Sequence, residues 1–442
     1  MIYSEFKKYA KDLLNIAAPI ILGNIGFILI GAGDVLIAGH HSTDTLAAIS
    51  IATAISHCIL IPGVSIVSAV SPVLSNFRGE KRQAEKYFYP TIRFAMIMAF
   101  IMMSAVLLAV PLVDFMHFEQ HLVPAIKQYM IISAFATFGG YLHCAMKEFL
   151  QAFEIVMFPN LLTIFAVFLN IGLNIILVFG WGVIPSLGAV GLAIASFVTR
   201  YFMGLVLYFY AKASLKIEKS YIKDDYYRQI LKVGIPIGCA VLIEFVAFNS
   251  VSVFMGRVAG VYAAAQNLVC TLTTVSFMIP FAISNAISVK VGYSNGAKNI
   301  VDLRRYAFIG LGMSTAFMIC SSIIFALVPE FLVKIFTADK NLIVISVPVI
   351  YILACFQVFD GLQVSLAGIF KGIKKTKVVM ASNFVGYWLI ALPVGYTLAF
   401  GYNMKLMGFW IALILSAIIL CSIMTIILVK NLRAMKKAFA QN

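Results

Sequence analysis

Charged residues are scarce in this chain of 442 residues. They make up 12% of the sequence, whereas hydrophobic residues make up 62% and the mean hydropathy is +0.99. Soluble domains average about 25% charged and about 45–50% apolar residues. Few polar stretches interrupt the apolar runs, so the composition excludes a sizeable soluble domain and predicts an integral membrane protein.

The chain also lacks the usual marks of an enzyme or a metal centre. No HExxH, Walker-type phosphate loop or GxSxG occurs. The seven cysteines show no CxxC spacing, and most lie inside apolar runs, which is typical of small buried hydrophobic residues. We therefore expect no enzyme and no cofactor.

Acidic residues are outnumbered by basic ones, 18 to 33, which gives a formal net charge of +15. In a soluble protein this excess would suggest a nucleic-acid partner, but in a membrane protein the accumulation of Lys and Arg in cytoplasmic loops explains it better. A spanning helix needs about 20 mostly apolar residues. Such runs predict twelve transmembrane helices, at about 14–38, 46–75, 88–113, 123–146, 158–179, 186–211, 230–255, 261–289, 303–328, 342–370, 376–399 and 405–429.

The distribution of Lys and Arg tests this count. With the N-terminus on the cytoplasmic side, 28 of the 33 basic residues fall in inner segments and 5 in outer ones. One missed helix would invert every later assignment, so the imbalance favours twelve helices with both termini in the cytoplasm. We expect a monomeric, multi-pass protein of a prokaryotic-type inner membrane, whose partners are lipid and small molecules and not nucleic acid.

The two halves of the chain resemble each other. The segment LLNIAAPIILGN (13–24) aligns with ILKVGIPIGCAV (230–241), which pairs Pro19 with Pro236 at an offset of 217 residues. Because six is an even number of helices, the second half begins on the same side of the membrane as the first, as in a parallel repeat. We predict an N-lobe at 1–211, a cytoplasmic linker at 212–228 and a C-lobe at 229–442.

Three carboxylates fall inside predicted spans, namely Asp34 in the first, Glu244 in the seventh and Asp360 in the tenth. A charged side chain inside a spanning helix costs about 2.5–3.5 kcal/mol on insertion scales, so each acid is a candidate functional residue. We expect no Lys or Arg at a comparable depth to pair with them. Protonation, a bound metal cation or a cationic substrate remain as ways to neutralise these acids.

Polar residues of the fifth and sixth runs fall at a depth similar to Asp34. Asn170 and Asn174 are four residues apart, so their amides face the same way, and Ser196 adds a hydroxyl. An acid, two amides and a hydroxyl form an oxygen-ligand set that suits a hard cation, and they could also relay a proton. The alternative is that these side chains hold neighbouring helices together.

In the second half, amide and aromatic side chains accompany the two acids. Gln266 follows three alanines in the eighth run and stands out as polar. A mixed aromatic and amide cavity for substrate is suggested by Phe245, Phe248, Phe356, Gln357 and Tyr387. For the aromatic residues, the alternative is contact with lipid or packing in the core.

These motifs resemble those of the multidrug and toxic compound extrusion (MATE) family. The motifs that carry the resemblance are D-x-x-x-A-G near the end of the first helix, N-x-x-x-N in the fifth, G-A-V-G-x-x-x-A-S in the sixth, A-A-x-Q in the eighth and D-G-x-Q-V in the tenth. The acids of the seventh and tenth helices are similar to those of the NorM-like branch. The resemblance covers nearly the whole chain and implies an all-α integral membrane protein with two pseudo-symmetric six-helix bundles, the MATE/MOP-type fold.

The resemblance also implies antiport, in which Na⁺ or H⁺ enters as an organic cation leaves, and two lobes that alternate between inward-open and outward-open states. It implies an N-lobe cation or proton site and a C-lobe cation site. Na⁺ is a candidate ligand at Glu244 and Asp360, or at Asp34 and Asn174. Archaeal members carry an aspartate where Asn174 stands and usually a threonine where Ser196 stands. The residues matched are Asp34, Asn170, Asn174 and Ser196 in the N-lobe and Glu244, Asp360 and Gln266 in the C-lobe.

Our leading hypothesis is therefore a cation-coupled secondary exporter of amphipathic, cationic small molecules. A flippase or exporter of a lipid-linked saccharide or a specific metabolite in the same superfamily is the alternative. Its pyrophosphate cargo calls for a basic cavity, whereas this sequence offers acids. An intramembrane enzyme would need a nucleophile paired with a base, or a metal cluster, and the spans show neither.

Overall fold

The chain folds almost entirely into helices. The computed structural model describes residues 2–218 and 225–440, and over these residues the β-structure is one isolated bridge between Trp181 and Ile184. The helices of the first half are α1 (Ile2–His41), α2 (Thr43–Val67), α3 (Val70–Gly79), α4 (Phe88–Ala109), α5 (Val123–Ala152), α6 (Met157–Phe179) and α7 (Gly188–Ser214), with 3₁₀ turns at Ala84–Tyr87 and Val110–Met116. Those of the second half are α8 (Tyr226–Val258), α9 (Gly260–Gly296), α10 (Ile300–Leu327), α11 (Pro329–Lys334), α12 (Lys340–Gly372), α13 (Lys377–Asn383), α14 (Leu392–Tyr396) and α15 (Lys405–Ala440).

Over residues 2–218 and 225–440, twelve helical stretches are long and apolar enough to cross a membrane. Each of them overlaps one of the twelve predicted runs, with ends that differ by a few residues. The second stretch joins α2 and α3 into Thr43–Gly79, and the eleventh extends over Lys377–Gly401. The predicted all-α membrane fold with twelve spanning helices is thus confirmed.

The chain divides into two compact units. The N-unit contains Ala18–Phe77 and Arg82–Gly238, and the C-unit contains Met1–Ala17, Arg78–Lys81 and Cys239–Asn442. Helix α1 therefore begins in the C-unit and continues in the N-unit, whereas α8 begins in the N-unit and continues in the C-unit. The predicted lobes at 1–211 and 229–442 are the halves of a sequence repeat, and their boundaries stay a prediction. Residues 219–224 of the predicted linker lie outside the described residues.

Tyr226 anchors the start of α8 within the N-unit. Its hydroxyl is 2.6 Å from the Thr91 hydroxyl on α4, and its ring centroid is 4.7 Å from that of Tyr87. All three side chains are buried. A buried hydroxyl pair flanked by aromatic rings holds this end of α8 against α4.

Tyr9 anchors the start of α1 within the C-unit in a similar way. The Tyr9 hydroxyl donates to the Asp302 carboxylate at 2.6 Å, and the Tyr9 ring packs edge-on against Tyr306 with centroids 4.8 Å apart. Arg305 donates to the Tyr9 oxygen at 3.1 Å. Tyr9 and Tyr226 are 217 residues apart, the offset of the repeat, so the two anchors occupy equivalent positions.

The eleventh span differs from the uniform helix predicted for 376–399. Helix α13 is followed by a π-helix at Phe384–Ala391, then by α14 and a second π-helix at Thr397–Gly401. Pro393 has no N–H to donate, so a regular α-helical hydrogen-bond ladder cannot continue through this region. π-helical turns are rare and occur frequently at functional sites.

Candidate functional site

The N-unit brings together all four predicted residues of its candidate site. The Asn174 amide donates to one Asp34 carboxylate oxygen at 2.6 Å, and the Ser196 hydroxyl donates to the other at 3.4 Å. The same Asn174 amide donates to the Asn170 side-chain oxygen at 3.1 Å. Helices α1, α6 and α7 thus meet at one polar cluster inside the N-unit.

The geometry of this cluster follows from helix periodicity. Asn170 and Asn174 are one turn apart on α6 and fully buried, so both project toward α1. The Asn174 oxygen and the Asn170 nitrogen have no hydrogen-bond partner in the part of the chain that the structure describes. The cluster therefore keeps free hydrogen-bonding capacity next to a half-buried carboxylate, which is the chemistry of a site that accepts a cation or a proton.

A basic residue also lies close to this cluster, contrary to the sequence-based expectation. Arg200 is near the midpoint of α7, one helical turn beyond Ser196, and its charge acts on Asp34. The distribution of Lys and Arg assigned Arg200 to a cytoplasmic segment, although this residue lies inside the sixth apolar run. The expectation that no Lys or Arg occurs at the depth of the acids is therefore wrong.

The C-unit holds the other two acids near each other. Glu244 lies on α8 and Asp360 on α12, and the charge of Glu244 acts on Asp360 through space. The Asn383 amide donates to Glu244 at 3.3 Å, and the Tyr387 hydroxyl lies within hydrogen-bonding reach of the same carboxylate. Asp360 is only 4% exposed, and no hydrogen bond or ion pair reaches it within residues 2–218 and 225–440.

Two further amides join this acid pair, Gln363 of the D-G-x-Q-V motif and Asn383, which the sequence-based prediction missed. Gln363 donates to the Tyr387 hydroxyl at 3.1 Å and to the Asn383 oxygen at 3.5 Å. Asn383 and Tyr387 are four residues apart, the same signal that singled out Asn170 and Asn174. Reading that spacing in the eleventh run would have found Asn383.

Within residues 2–218 and 225–440, the hydrogen bonds of Gln266 lead to other residues than the acids. Its side-chain oxygen accepts a hydrogen bond of 2.9 Å from the Trp410 indole, and its amide donates to the Cys270 sulfur at 3.2 Å. Gln266 and Trp410 are fully buried. The contacts of Gln266 are those of a residue that fixes helix packing, and its predicted role in cation coupling stays a prediction.

Of the residues proposed to line a substrate cavity, Phe248, Phe356 and Tyr387 belong to one aromatic cluster, whereas Phe245 and Gln357 do not. Phe248 packs against Tyr387 and Trp410, with centroids 5.9 and 6.2 Å apart, and Phe356 packs edge-on against Trp410 at 5.5 Å. Phe245 is half-buried and makes no ring contact among the described residues. Gln357 is buried and accepts a hydrogen bond from Ser321 at 2.6 Å. An aromatic chain thus extends from the acid pair, through Tyr387, to Trp410.

The chain matches known proteins along most of its length. The MatE family profile matches residues 19–176 and 236–397, and the two matches begin at the paired prolines Pro19 and Pro236. A probable multidrug resistance protein NorM from Bacillus licheniformis is 24% identical over 420 residues, which cover 93% of each chain. The two profile matches fall one in each half of the sequence repeat.

Solved structures share the fold at low sequence identity. A eukaryotic MATE transporter superposes with a TM-score of 0.85 at 18% identity, over 98% of this chain and 99% of that one. A transporter of the MOP superfamily from Pyrococcus furiosus superposes with a TM-score of 0.88 at 16% identity, over 97% of each chain. The predicted MATE/MOP-type fold is therefore confirmed.

The two profile matches cover more than half of the chain, so the family is shown by sequence as well as by fold. The resemblance inferred from the motifs is confirmed, and so is the expectation of a multi-pass transporter that is not an enzyme. The chain belongs to the MatE family of membrane transporters.

Proposed function

We propose that this protein exports amphipathic, cationic small molecules by antiport with Na⁺ or H⁺. The observation that carries the proposal is Asp360, a buried carboxylate beside Glu244 that makes no hydrogen bond or ion pair with the described residues. A buried, unpaired carboxylate is costly, and a proton or a bound cation removes that cost. Binding and release of such an ion at Asp360 and Glu244 therefore provides a coupling step.

The polar cluster of the N-unit supports a second ion or substrate site. Asp34 accepts hydrogen bonds from Asn174 and Ser196, and an adjacent amide oxygen stays free. Carboxylate, amide and hydroxyl oxygens suit a hard cation such as Na⁺. Competition between the coupling ion and a cationic substrate for these carboxylates would link inward movement of one to outward movement of the other.

Several further features belong to this proposal. The predicted excess of basic residues on one side places both termini in the cytoplasm of a bacterial-type cell. The NorM relatives carry multidrug resistance names, which supports a broad range of amphipathic substrates. We propose a monomer in the inner membrane, with each half supplying one group of acids.

Efflux of ethidium, a fluorescent organic cation, tests the function directly. In cells that lack other exporters, we expect Asp34→Asn, Glu244→Gln and Asp360→Asn each to slow efflux at least about tenfold, because each removes a charge needed for binding. Asp114→Asn is the matched control, since this carboxylate is half-exposed and pairs with Lys127 at 2.6 Å. Undiminished efflux in all three acid variants would reject the proposal.

The coupling ion is identified by imposing one gradient at a time. Purified protein in liposomes is given either a Na⁺ gradient or a pH gradient, and ethidium movement is recorded. We expect one of the two gradients to drive transport and the Asp360→Asn variant to abolish the response. Transport that needs neither gradient would contradict antiport.

A further inference from the structure

Arg200 carries a guanidinium group near the middle of a spanning helix. It lies about halfway along α7 (Gly188–Ser214), roughly 18 Å from its first residue and roughly 21 Å from its last at about 1.5 Å per residue. Arginine is rare at such depth, and where it occurs it faces the protein interior and marks a partner or a ligand path. The candidate site in the N-unit does not by itself explain this residue.

The packing of α7 directs Arg200 toward the interior of the N-unit. Ser196 is one turn earlier on the same face and reaches Asp34 at 3.4 Å. Helices α5 and α7 approach closely where a Cβ on Gly139 would lie 2.6 Å from the Tyr201 nitrogen. Next to this crossing, the Arg200 side chain lies over Gly140, with its Cδ 3.6 Å from the position of a Cβ there.

The surroundings of Arg200 confirm this direction. Its charge acts on Asp34 of α1, on His57 of α2 and on Tyr141 of α5. Tyr141 in turn donates to the Leu60 carbonyl on α2 at 3.0 Å, which joins α5 to α2. The Arg200 side chain therefore lies against α5, on the face of α7 whose Ser196 reaches Asp34 of α1.

Arg200 has no acceptor of its own there. Over residues 2–218 and 225–440 it makes no hydrogen bond, and no carboxylate oxygen comes within 4.0 Å of it. The nearby Asp34 carboxylate instead takes its hydrogen bonds from Asn174 and Ser196. A guanidinium offers five N–H donors in a planar fork that matches a carboxylate.

We propose that Arg200 is a specificity-determining residue that binds the carboxylate of a zwitterionic amphipathic substrate. The cationic group of the same molecule faces Asp34, which is bound by Ser196 one turn before Arg200 on α7. This inference rests on the proposed export function and narrows its substrate class to molecules that carry both charges. Bidentate binding of a carboxylate by arginine is strong and geometrically selective, so the residue discriminates between an acid and its ester.

A matched pair of dyes tests the assignment. Rhodamine B carries a xanthylium cation and a free carboxylate, and rhodamine B ethyl ester keeps only the cation. Binding of each dye to purified protein in lipid nanodiscs is measured by fluorescence anisotropy at constant pH and salt. We expect Arg200→Gln to weaken rhodamine B about tenfold and the ester less than about twofold, because only the free acid loses its partner.

Two further variants separate charge from geometry. Arg200→Lys keeps the positive charge but loses the planar fork, so we expect an intermediate loss of rhodamine B affinity. Arg93→Gln is the matched control, since this arginine is exposed near the beginning of α4, and we expect unchanged affinity for both dyes. Elution as one peak on size exclusion and an unchanged helical circular dichroism spectrum verify that each variant is folded.

The outcomes separate this inference from the proposed function. An equal change in the affinity of both dyes in Arg200→Gln would show that Arg200 does not recognise the carboxylate and would overturn the inference. Binding of the ester but not of rhodamine B by the wild type would also overturn it, while leaving cation export intact. Failure of the wild type to bind or export either dye would instead count against the proposed function.

Discussion

At the scale of single residues, the three buried acids differ in the hydrogen bonds that their carboxylates accept. Asp34 receives hydrogen bonds from an amide and a hydroxyl, and Glu244 receives one from the Asn383 amide. Asp360 is more deeply buried than either and has no partner among the described residues. In the ion-free protein, Asp360 is thus a carboxyl group whose burial destabilises the fold unless something neutralises it.

This difference predicts that Asp360→Asn increases stability while it abolishes transport. Replacing an unpaired buried carboxylate with a neutral amide removes a desolvation cost of roughly 1–3 kcal/mol. Thermal unfolding in detergent without Na⁺, at a pH where free carboxyls are ionised, should show a higher midpoint for the variant. Asp302→Asn is the control and should lower the midpoint, because Asp302 accepts hydrogen bonds from Tyr9 and Asn299. A lower midpoint for Asp360→Asn would contradict this account.

The acids themselves could be predicted from sequence, because a charge inside an apolar run is conspicuous whatever its partners. The amide at Asn174 could be linked to Asn170 through helix periodicity alone. The contact of Asn174 with Asp34 joins residues that are 140 positions apart, and periodicity says nothing about such pairs. Arg200 is equally conspicuous, since it lies well inside the run predicted at 186–211, but a count of basic residues by loop does not register the depth of a charge.

At the scale of helices, the eleventh span positions the polar side chains that lie next to Glu244. Asn383 ends α13, and Tyr387 lies in the π-helix that follows. The π-helix is wider than an α-helix, so it changes the angular spacing of residues before and after it. Hydrophobic periodicity could predict the existence of this span, but not the change of helix type, because the cause is packing against α15 together with Pro393.

Gly386 is where that packing can be tested. A Cβ at Gly386 would lie 2.7 Å from a Leu420 methyl carbon and 2.9 Å from the buried Ser416 hydroxyl, both on α15. We expect Gly386→Ala to push α15 away, displace Tyr387 and destabilise the protein by about 1–3 kcal/mol. Denaturant unfolding and ethidium efflux measure the two effects.

The control for this substitution is Gly312→Ala on α10. A Cβ at Gly312 meets no atom within 4 Å, so alanine adds helix propensity without a clash. We expect unchanged efflux and a gain in stability of roughly 0.5–1 kcal/mol. If both alanine variants behaved alike, close packing at Gly386 would not be what holds the π-helix.

At the scale of the whole molecule, the repeat is visible in how the two units are anchored. The start of α1 is bound in the C-unit through Tyr9, and the start of α8 is bound in the N-unit through Tyr226. The sequence repeat predicted that these tyrosines are equivalent. It could not predict that the start of each helix belongs to one unit and the rest of the same helix to the other. An internal sequence alignment gives equivalent positions but no contacts.

Paired substitutions test the two anchors. Tyr9→Phe and Tyr226→Phe each remove a hydroxyl and should each cost about 0.5–1.5 kcal/mol of unfolding free energy. Because the Tyr9 hydroxyl binds Asp302 and Arg305 in the C-unit whereas the Tyr226 hydroxyl binds Thr91 in the N-unit, the double variant should lose the sum of the two. Tyr402→Phe is the control, since Tyr402 is 72% exposed, and it should leave the denaturant midpoint unchanged. A double loss well above the sum would show that the anchors act as one element.

Because the start of α1 belongs to the C-unit, the order of translation affects when this segment finds its partners. Tyr9 is translated 293 positions before its partner Asp302. At about 5–20 residues per second, the delay is roughly 15–60 s. Tyr226, by contrast, is translated after both Thr91 and Tyr87 and finds its partners already made. The N-unit can therefore close while translation continues, but the C-unit must wait with its first segment unpartnered.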